Sequence, residues 1–269
     1  MDSFLHDISN EEEVVAAIEQ NFFSLWSVLG KASHSEIYDG KDMLRIISGI
    51  REPLCNNIFR ARFLPHEGEE SIETTVNIFR KKEVPALWWI GPTTTPHNLG
   101  KLLENKGFFQ GEEASGMAID IAAVPETEPP SHISIHRIKG CNSFTIWRDL
   151  FSKAGFQAKV LDFFVQAFTK AEEMPEKPLT HYLGLLNNIP VSWATTMAAD
   201  GVIGIYNVQT ASEARRQGVG TALIQTILSD AKKEGFAVAI LHSSAMAYQL
   251  YQSIGFKRFC IISIYAWNG

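Results

Sequence analysis

The sequence has few cysteines, no long apolar run and no excess of positive charge. Its three cysteines, Cys55, Cys141 and Cys260, lie far apart without a CxxC pair. This spacing argues against a structural metal site and favours three buried thiols in a reducing compartment. No apolar run approaches the ~18 residues of a membrane span, and the first residues, MDSFLHDISNEEE, are acidic where a signal peptide is basic. These absences predict a cytoplasmic protein.

The charge balance also excludes classes of partner. The net charge is −6, so the chain lacks the broad basic face that nucleic acids and anionic membranes require. With 45% apolar and 20% charged residues, the 269 residues are typical of a soluble globular protein with room for two domains. Any site for an anion must therefore be local.

A proline-rich stretch divides the chain. The segment VPETEPPS, Val124 to Ser131, carries three prolines and is unsuited to a helix or a central strand. We interpret it as a linker between an N-terminal domain, 1–124, and a C-terminal domain, 131–269.

Hydrophobic periodicity after the linker predicts the element order β-α-α-β-β-β-α-β-α-β. Three consecutive strands are broken at the turn-forming pairs Asn187-Asn188 and Asp200-Gly201. Gly235 is expected to stop the penultimate helix. Ser243 or Ser244 is expected to cap the last one.

The segment EARRQGVGTA lies between a predicted strand ending at Thr210 and a predicted helix. Glycines at 218 and 220 leave the first backbone amides of that helix open, and Arg215 and Arg216 add positive charge, so the segment suits a phosphate. It is neither a P-loop nor a GxGxxG fingerprint. Taken alone, it also fits a flexible loop before an ordinary helix.

The pattern Arg215-x-x-Gly218-x-Gly220, followed about thirty residues later by AYQLYQSIGF, resembles the GNAT superfamily of acyl-CoA-dependent N-acyltransferases. The resemblance covers roughly Ser131 to Trp267. It implies an α/β fold whose mixed, mostly antiparallel sheet is flanked by helices. It also implies that the 216–221 backbone holds the coenzyme A pyrophosphate, and that strand residues 208–210 pair with pantetheine where two strands splay apart.

Other residues take roles from the same resemblance. Tyr251 matches the position whose phenol protonates the departing thiolate. Ser244 stands where many members carry an asparagine that contacts pantetheine, and the strand GVIGIYNV lacks the glutamate that some members use as a general base. The cofactor-binding residues so implied are Val208, Gln209, Thr210, Arg215, Arg216, Gln217, Gly218, Val219, Gly220, Thr221 and Ser244.

The chemistry of thioester aminolysis fits these residues. It needs a neutral amine, a polarised carbonyl and a stabilised thiolate. A tyrosine with an ordinary pKa near ~10 is protonated at neutral pH, so Tyr251 can donate to the thiolate. Tyr251 also fits a helix–sheet packing role. His242 and His181 are candidates to relay the amine proton, although each also fits a structural role, and water can take the proton directly.

The N-terminal half shows a weak likeness to the C-terminal half. A shift of 148 positions places LYQSIGF on LLENKGF, and Tyr251 on Leu103. The same shift places Arg215 to Gly218 on Glu67 to Glu70, where four nearby glutamates would repel a phosphate. We therefore predict a degenerate GNAT-like N-terminal domain that does not bind coenzyme A, although so short a likeness also fits chance.

Aromatic residues of the N-terminal half are expected to fill its core, with the alternative that this domain walls one side of an acceptor cleft. They are Phe22, Phe23, Trp26, Trp88 and Trp89. The loop TTTPHNLG is a candidate lining segment, and Thr95 or Asn98 in it also suits a helix cap.

Two functions remain open from sequence. The first is an N-acetyltransferase that moves an acetyl group from acetyl-CoA, without a metal, to a primary amine of a small molecule or peptide. The second is a noncatalytic acyl-CoA-binding or regulatory protein with a tandem GNAT fold. The sequence does not indicate an oligomeric state.

Overall fold

The computed structural model describes residues 5–64, 66–138 and 143–269, so Cys141 lies outside the described residues. The helices are α1 (Glu11–Ala32), α2 (Gly68–Lys82), α3 (Leu99–Asn105), α4 (Phe144–Lys153), α5 (Ala158–Glu173), α6 (Val219–Lys233) and α7 (Tyr248–Ile254). The strands are β1 (Glu36–Asp39), β2 (Leu44–Ile47), β3 (Asn56–Phe59), β4 (Ala86–Ile90), β5 (Phe109–Asp120), β6 (Ile133–Ile138), β7 (Leu179–Leu186), β8 (Ile189–Ala199), β9 (Val202–Thr210), β10 (Val238–Ser243) and β11 (Lys257–Trp267).

All eleven strands form one sheet in the order β1-β2-β3-β4-β11-β5-β10-β9-β8-β7-β6. The pairs β3/β4 and β9/β10 are parallel, and the other neighbours are antiparallel. Helices flank the sheet. The predicted fold class, a mixed and mostly antiparallel sheet flanked by helices, is confirmed.

The two halves exchange their last strands at the centre of this sheet. Strand β5 pairs with β10 of the C-terminal half, and β11 pairs with β4 of the N-terminal half. Strands β5 and β11 also pair with each other. The run β3-β4-β11-β5-β10-β9 therefore has the same arrangement read from either end. The boundary at 124–131 stays a prediction, because the halves share one continuous sheet.

The predicted alignment of the two halves is correct at their last strands and wrong at helices α2 and α6. Strands β5 and β11 begin 148 residues apart, at Phe109 and Lys257, as the sequence comparison expects. Helices α2 and α6 begin 151 residues apart, at Gly68 and Val219, because the intervening segments differ in length. Glu67 therefore corresponds to Gly218, and the first turn of α2 carries Glu69 and Glu70.

Turn chemistry explains the meander of the C-terminal half. Asn187 and Asn188 have φ of 50° and 65°, and Asp200 and Gly201 have φ of 55° and 75°. Two consecutive residues with positive φ make the tight turn that joins twisted antiparallel strands. The breaks predicted at these pairs are confirmed.

Helix ends agree with the sequence only in part. Gly235, with φ of 89°, follows the end of α6 as predicted. The predicted serine cap of α7 is wrong, because the helix begins after Ala247 and no side chain caps it. Instead, the carbonyl of Ser244 accepts hydrogen bonds from the amides of Ala247 and Tyr248, each at 3.1 Å. Asn98 precedes α3, but its side chain caps no amide.

Helices cover both faces of the sheet. One cluster of buried residues joins α1, α4 and α5 to the sheet, and we call that side of the sheet the α1 face. A second cluster joins α6 and α7 to the strands of the C-terminal half, and we call that side the α6 face. Successive residues of a strand point to opposite faces of the sheet. On β9, Ile205 therefore belongs to the second cluster and Tyr206 to the first.

Helix α1 belongs to the N-terminal half but is fixed to the C-terminal half through Asn21. This fully buried side chain donates to the carbonyl oxygens of Met197 and Ala199, and it accepts a 2.7 Å hydrogen bond from the Tyr206 hydroxyl. A buried amide with these partners is costly to displace. The face of α1 next to β9 is therefore held in place.

Two cysteines are buried and unpaired, as predicted. Burial raises the pKa of the Cys55 and Cys260 thiols to about 12, so both stay protonated. Among the described residues, no group of three or more His, Cys, Asp or Glu side chains is arranged to hold a metal ion. None of the described helices is both long enough and apolar enough to span a membrane.

Candidate active site

Strands β9 and β10 separate at their C-terminal ends. They pair only where residues 203–205 of β9 meet residues 239–241 of β10. After Ile205, strand β9 forms a β-bulge opposite β8. Between the pairs Thr195–Tyr206 and Trp193–Gln209, β9 has one residue more than β8. Asn207 in this bulge has a φ of 50°. The bulge turns the end of β9 away from β10 and leaves main-chain groups there without a strand partner. The predicted gap between strands is present at this position.

The loop after β9 leads to an open helix terminus. Gly218 precedes α6 with a φ of 85°, which favours glycine, and no side chain caps the helix. The first backbone amides of α6 therefore have no partner within the helix. The Arg215 Nε atom donates to the carbonyl oxygen of Thr210 at 3.2 Å, which ties the loop to the end of β9. Arg216 is exposed, with a φ of 63°.

A cavity of about 370 Å³ passes through the gap between the strands. On the side where the sequence predicts coenzyme A, the cavity is lined by residues that include Val208, Gln209, Ser244, Ala247 and Tyr251. Its lining on the α1 face includes Phe22, Trp26, Trp89, Trp147, Phe151 and Phe164. The cavity thus connects the two faces of the sheet.

The structure brings four of the twelve predicted site residues into the lining of this cavity and the others beside it. The four are Val208, Gln209, Ser244 and Tyr251. The Thr210 hydroxyl lies 2.9 Å from the Ser192 hydroxyl, beside the lining. Residues 215–221 form the loop and first turn outside the lining, next to the end of β9.

Tyr251 is positioned by α7 and is only 4% exposed. Its ring packs edge-on against Phe256, with centroids 5.8 Å apart. Burial raises the pKa of the phenol above its ordinary value, so the hydroxyl stays protonated at all physiological pH values. Tyr251 is therefore a hydrogen-bond donor at the wall of the cavity.

His242 lies at the end of β10 and lines the same cavity. Its ring centroid is 4.4 Å from that of Phe22, and both ring nitrogens are buried without a hydrogen-bond partner. Burial lowers the pKa of His242 to about 4, so the ring is neutral at physiological pH. A neutral imidazole offers one donor and one acceptor.

His181 is separate from the cavity lining. It is buried against Phe144 and Phe168, and its Nδ1 atom lies 3.0 Å from the Thr195 hydroxyl. Burial lowers the pKa of His181 to about 3. This position places His181 in the packed core behind the site.

The neutral state of His181 predicts how stability depends on pH. The pKa of His181 in the folded protein lies below the ordinary 6.5. As pH falls below 6.5, the histidine of the unfolded chain therefore binds a proton, whereas that of the folded protein does not. The free energy of unfolding should then fall by about 1.4 kcal/mol per pH unit from this group. Urea unfolding of wild type and His181→Leu at pH 7.5 and 5.5 should show a smaller decrease in the variant. Equal decreases would contradict the assignment.

The aromatic residues of the N-terminal half serve two purposes. Phe22, Trp26 and Trp89 line the cavity, so their assignment to packing alone is incomplete. Phe23 and Trp88 are buried outside the lining, as expected of core residues. The predicted lining loop TTTPHNLG does not contribute to this cavity.

The contribution of α4 and α5 to the cavity was not predicted from the sequence. Trp147 and Phe151 are one turn apart on α4, and Phe164 lies on α5, all facing the cavity region of the α1 face. Their spacing marks an apolar helix face, but it does not distinguish a core from a cavity wall.

The corresponding positions of the N-terminal half differ in chemistry. Glu69 and Glu70 occupy the first turn of α2, where they oppose an anionic ligand. Leu103 is fully buried in an apolar cluster and has no donor. That this half does not bind coenzyme A stays a prediction.

Comparison with known proteins agrees with the geometry of the C-terminal half. A family model described as an acetyltransferase (GNAT) domain matches residues 148–260. The human protein N-acetyltransferase 8 is 32% identical over 87 residues, a match that covers 29% of this chain and 37% of that relative. The chain thus matches little more than a third of the length of this curated protein.

Solved structures share the fold of the whole chain. A GCN5-related N-acetyltransferase from Kribbella flavida has a TM-score of 0.71 at 17% identity, with 94% of this chain and 96% of that chain covered. A tandem GNAT protein from the clavulanic acid biosynthesis pathway has a TM-score of 0.59 at 11% identity, with 84% and 78% covered. At these identities the likeness concerns the fold alone. The match of the family model over residues 148–260 thus indicates a GNAT acetyltransferase domain in the C-terminal region, which supports acyl transfer in general.

Proposed function

We propose that the protein is an N-acetyltransferase that moves an acetyl group from acetyl-CoA to a primary amine of a small molecule or peptide. The observation that carries the proposal is the cavity through the gap between β9 and β10. It lies beside a loop suited to phosphate, it is lined by a buried phenol donor, and it extends to an aromatic-walled space on the opposite face.

The phosphate end is proposed at the start of α6. The 216–221 backbone would hold the pyrophosphate, because the open amides of the first turn and the helix dipole favour an anion there. Arg216 is exposed and can approach a phosphate, whereas Arg215 is used to fix the loop to Thr210. The other proposed cofactor residues of this loop are Gln217, Gly218, Val219, Gly220 and Thr221.

The pantetheine arm is proposed to lie along the free edge of β9. Val208 lies in the bulge, and Gln209 and Thr210 follow it, where β9 has no partner on its β10 side. An amide-containing arm can form main-chain hydrogen bonds at such an edge, as an added strand does. Ser244, exposed at the start of the turn before α7, faces the same cavity.

Tyr251 is proposed as the group that stabilises the leaving thiolate. Its raised pKa makes complete transfer of the phenolic proton costly, so hydrogen-bond donation to the sulfur is its main contribution. The sulfur takes its proton as the C–S bond breaks, and the amine loses one proton as the C–N bond forms. Two buried free thiols, Cys55 and Cys260, support the proposed cytoplasmic location.

Isothermal titration with acetyl-CoA, followed by an assay of thiol release with amines, tests the proposal. We expect micromolar binding by the wild-type chain and amine-dependent release of coenzyme A. Binding without turnover for any amine would favour the noncatalytic alternative. No binding of acetyl-CoA would contradict both functions.

A further inference from the structure

The part of the cavity on the α1 face is open to solvent away from the cofactor end. Glu112 on β5 is exposed, and Phe156, after α4, is 39% exposed, and both line the cavity. Ser244, at the opposite end, is also an exposed lining residue. A second molecule can therefore enter from the α1 face while the thioester enters from the α6 face.

The walls on the α1 face are aromatic. Phe22 and Trp26 come from α1, Trp89 from β4, and Trp147 and Phe151 from α4. A strongly polar acceptor would lose its hydration against such walls and gain few hydrogen bonds, whereas an aromatic ring would gain apolar contact. The shape and chemistry of the space therefore favour an apolar ligand.

Few polar groups in the lining remain for a ligand. The Tyr206 hydroxyl is bound to Asn21, and the Trp89 Nε1 atom donates to the Asn57 side chain at 2.7 Å. In contrast, both ring nitrogens of His242 and the Trp147 Nε1 atom are buried without a partner in the protein. Of these two side chains, the imidazole can accept a hydrogen bond, whereas an indole nitrogen only donates. Buried polar atoms normally have partners, so an unpaired imidazole beside an aromatic cavity points to a ligand with a hydrogen-bonding group.

We propose that the acceptor is a primary amine carried on an aromatic or comparably apolar group, an inference that rests on the proposed acetyl transfer. The apolar group lies among the aromatic walls of the α1 face, and the amine nitrogen donates a hydrogen bond to His242. Glu112 at the open end attracts the ammonium form that predominates in solution before the amine enters.

The reaction balances with these groups. The ammonium first loses one proton to solvent. The neutral amine nitrogen then attacks the thioester carbonyl carbon, a C–N bond forms and the C–S bond breaks. One amine proton passes to His242 and from there to solvent. The thiolate is stabilised by the Tyr251 hydroxyl and ends as a thiol with a proton from solvent or from the phenol, which is then reprotonated. His242 acts here as a catalytic residue because it contacts the amine.

Matched amines test the acceptor class. With saturating acetyl-CoA, kcat/KM for 2-phenylethylamine should exceed that for ethylamine by about 30- to 100-fold, the gain expected for burial of a phenyl group. Values within threefold of each other would overturn the proposal. A tenfold preference for hexanoyl-CoA over acetyl-CoA with both amines would also overturn it, because the aromatic space would then hold the acyl chain.

A pair of histidine variants tests the role of His242. His242→Leu should lower kcat/KM for 2-phenylethylamine at least tenfold and leave the Kd for acetyl-CoA unchanged. His181→Leu is the matched control, because His181 is also buried and neutral but lies outside the cavity. Thermal unfolding of both variants verifies that each is folded. Similar losses in both variants, or no loss in His242→Leu, would contradict the assignment.

A binding measurement separates this inference from the proposed function. Trp26, Trp89 and Trp147 line the cavity, so titration with 2-phenylethylamine should change tryptophan fluorescence without any donor present. Weaker binding to His242→Leu than to His181→Leu would support the amine site even if no thiol release were found. Turnover of ethylamine with no binding preference for 2-phenylethylamine would keep the proposed function and overturn the acceptor class.

Discussion

The double variant Arg216→Glu, Gly218→Glu is expected to bind acetyl-CoA at least about 100-fold more weakly than the wild-type chain. The change removes an exposed cation and places two carboxylates at the open start of α6. The loss combines a charge-assisted hydrogen bond with a favourable helix terminus, together about 3 kcal/mol. A glutamate at 218 also has to adopt the φ of 85° that favours glycine. Isothermal titration gives the affinity directly.

The other end of the same helix provides the control. Lys233→Glu with Gly235→Glu makes the same change in charge and also replaces a glycine of positive φ, 89° at Gly235. Acetyl-CoA affinity should change less than threefold in this control, and thermal unfolding reports on the folding of both variants. If both variants bound acetyl-CoA equally well or equally poorly, the start of α6 would not be the phosphate site.

Tyr251→Phe is expected to lower kcat by about 100- to 1,000-fold, the usual effect of removing a donor that stabilises charge in the transition state. The substitution keeps the ring that packs against Phe256, so the fold and the cavity should be retained. The Kd for acetyl-CoA should change less than twofold, because the thiolate forms only during reaction. Steady-state rates of thiol release and titration with acetyl-CoA measure the two effects.

Tyr248→Phe is the matched control for this prediction. Tyr248 lies one turn earlier on α7, where its ring stacks with Arg258 at 5.9 Å, and it does not line the cavity. This variant should keep kcat within about twofold of wild type. Equal rates for Tyr251→Phe and wild type would show that the phenol serves only packing.

Local sequence signals predicted much of the C-terminal half. The pairs Asn187-Asn188 and Asp200-Gly201 accept positive φ, so they define the meander whatever the strands pack against. The two helices that the predicted element order places after the first strand are present as α4 and α5. The roles of Gly218 and Tyr251 were assigned from the resemblance, and the structure places Gly218 before α6 and Tyr251 in the cavity wall.

Features that depend on distant parts of the chain were not predicted. The pattern of β5 and β11 is the same whether each strand pairs within its own half or across to the other, so the exchange leaves no local signal. The cavity combines α1, α4 and β4, and aromatic residues on a buried helix face resemble a filled core. The predicted alignment of α2 with α6 was wrong because the segments between each helix and the last strand of its half differ in length.

The exchanged strands also determine when the protein can fold during synthesis. Among the described residues, β4 has its antiparallel partner in β11, which follows all the other strands of the C-terminal half. The N-terminal half therefore leaves the ribosome with an open sheet edge, and this edge is covered only after β11 has been synthesised. Such long-range pairing is slow to form, and until then the edge is open to pairing with other chains. Completion of the two halves is thus a single, late event.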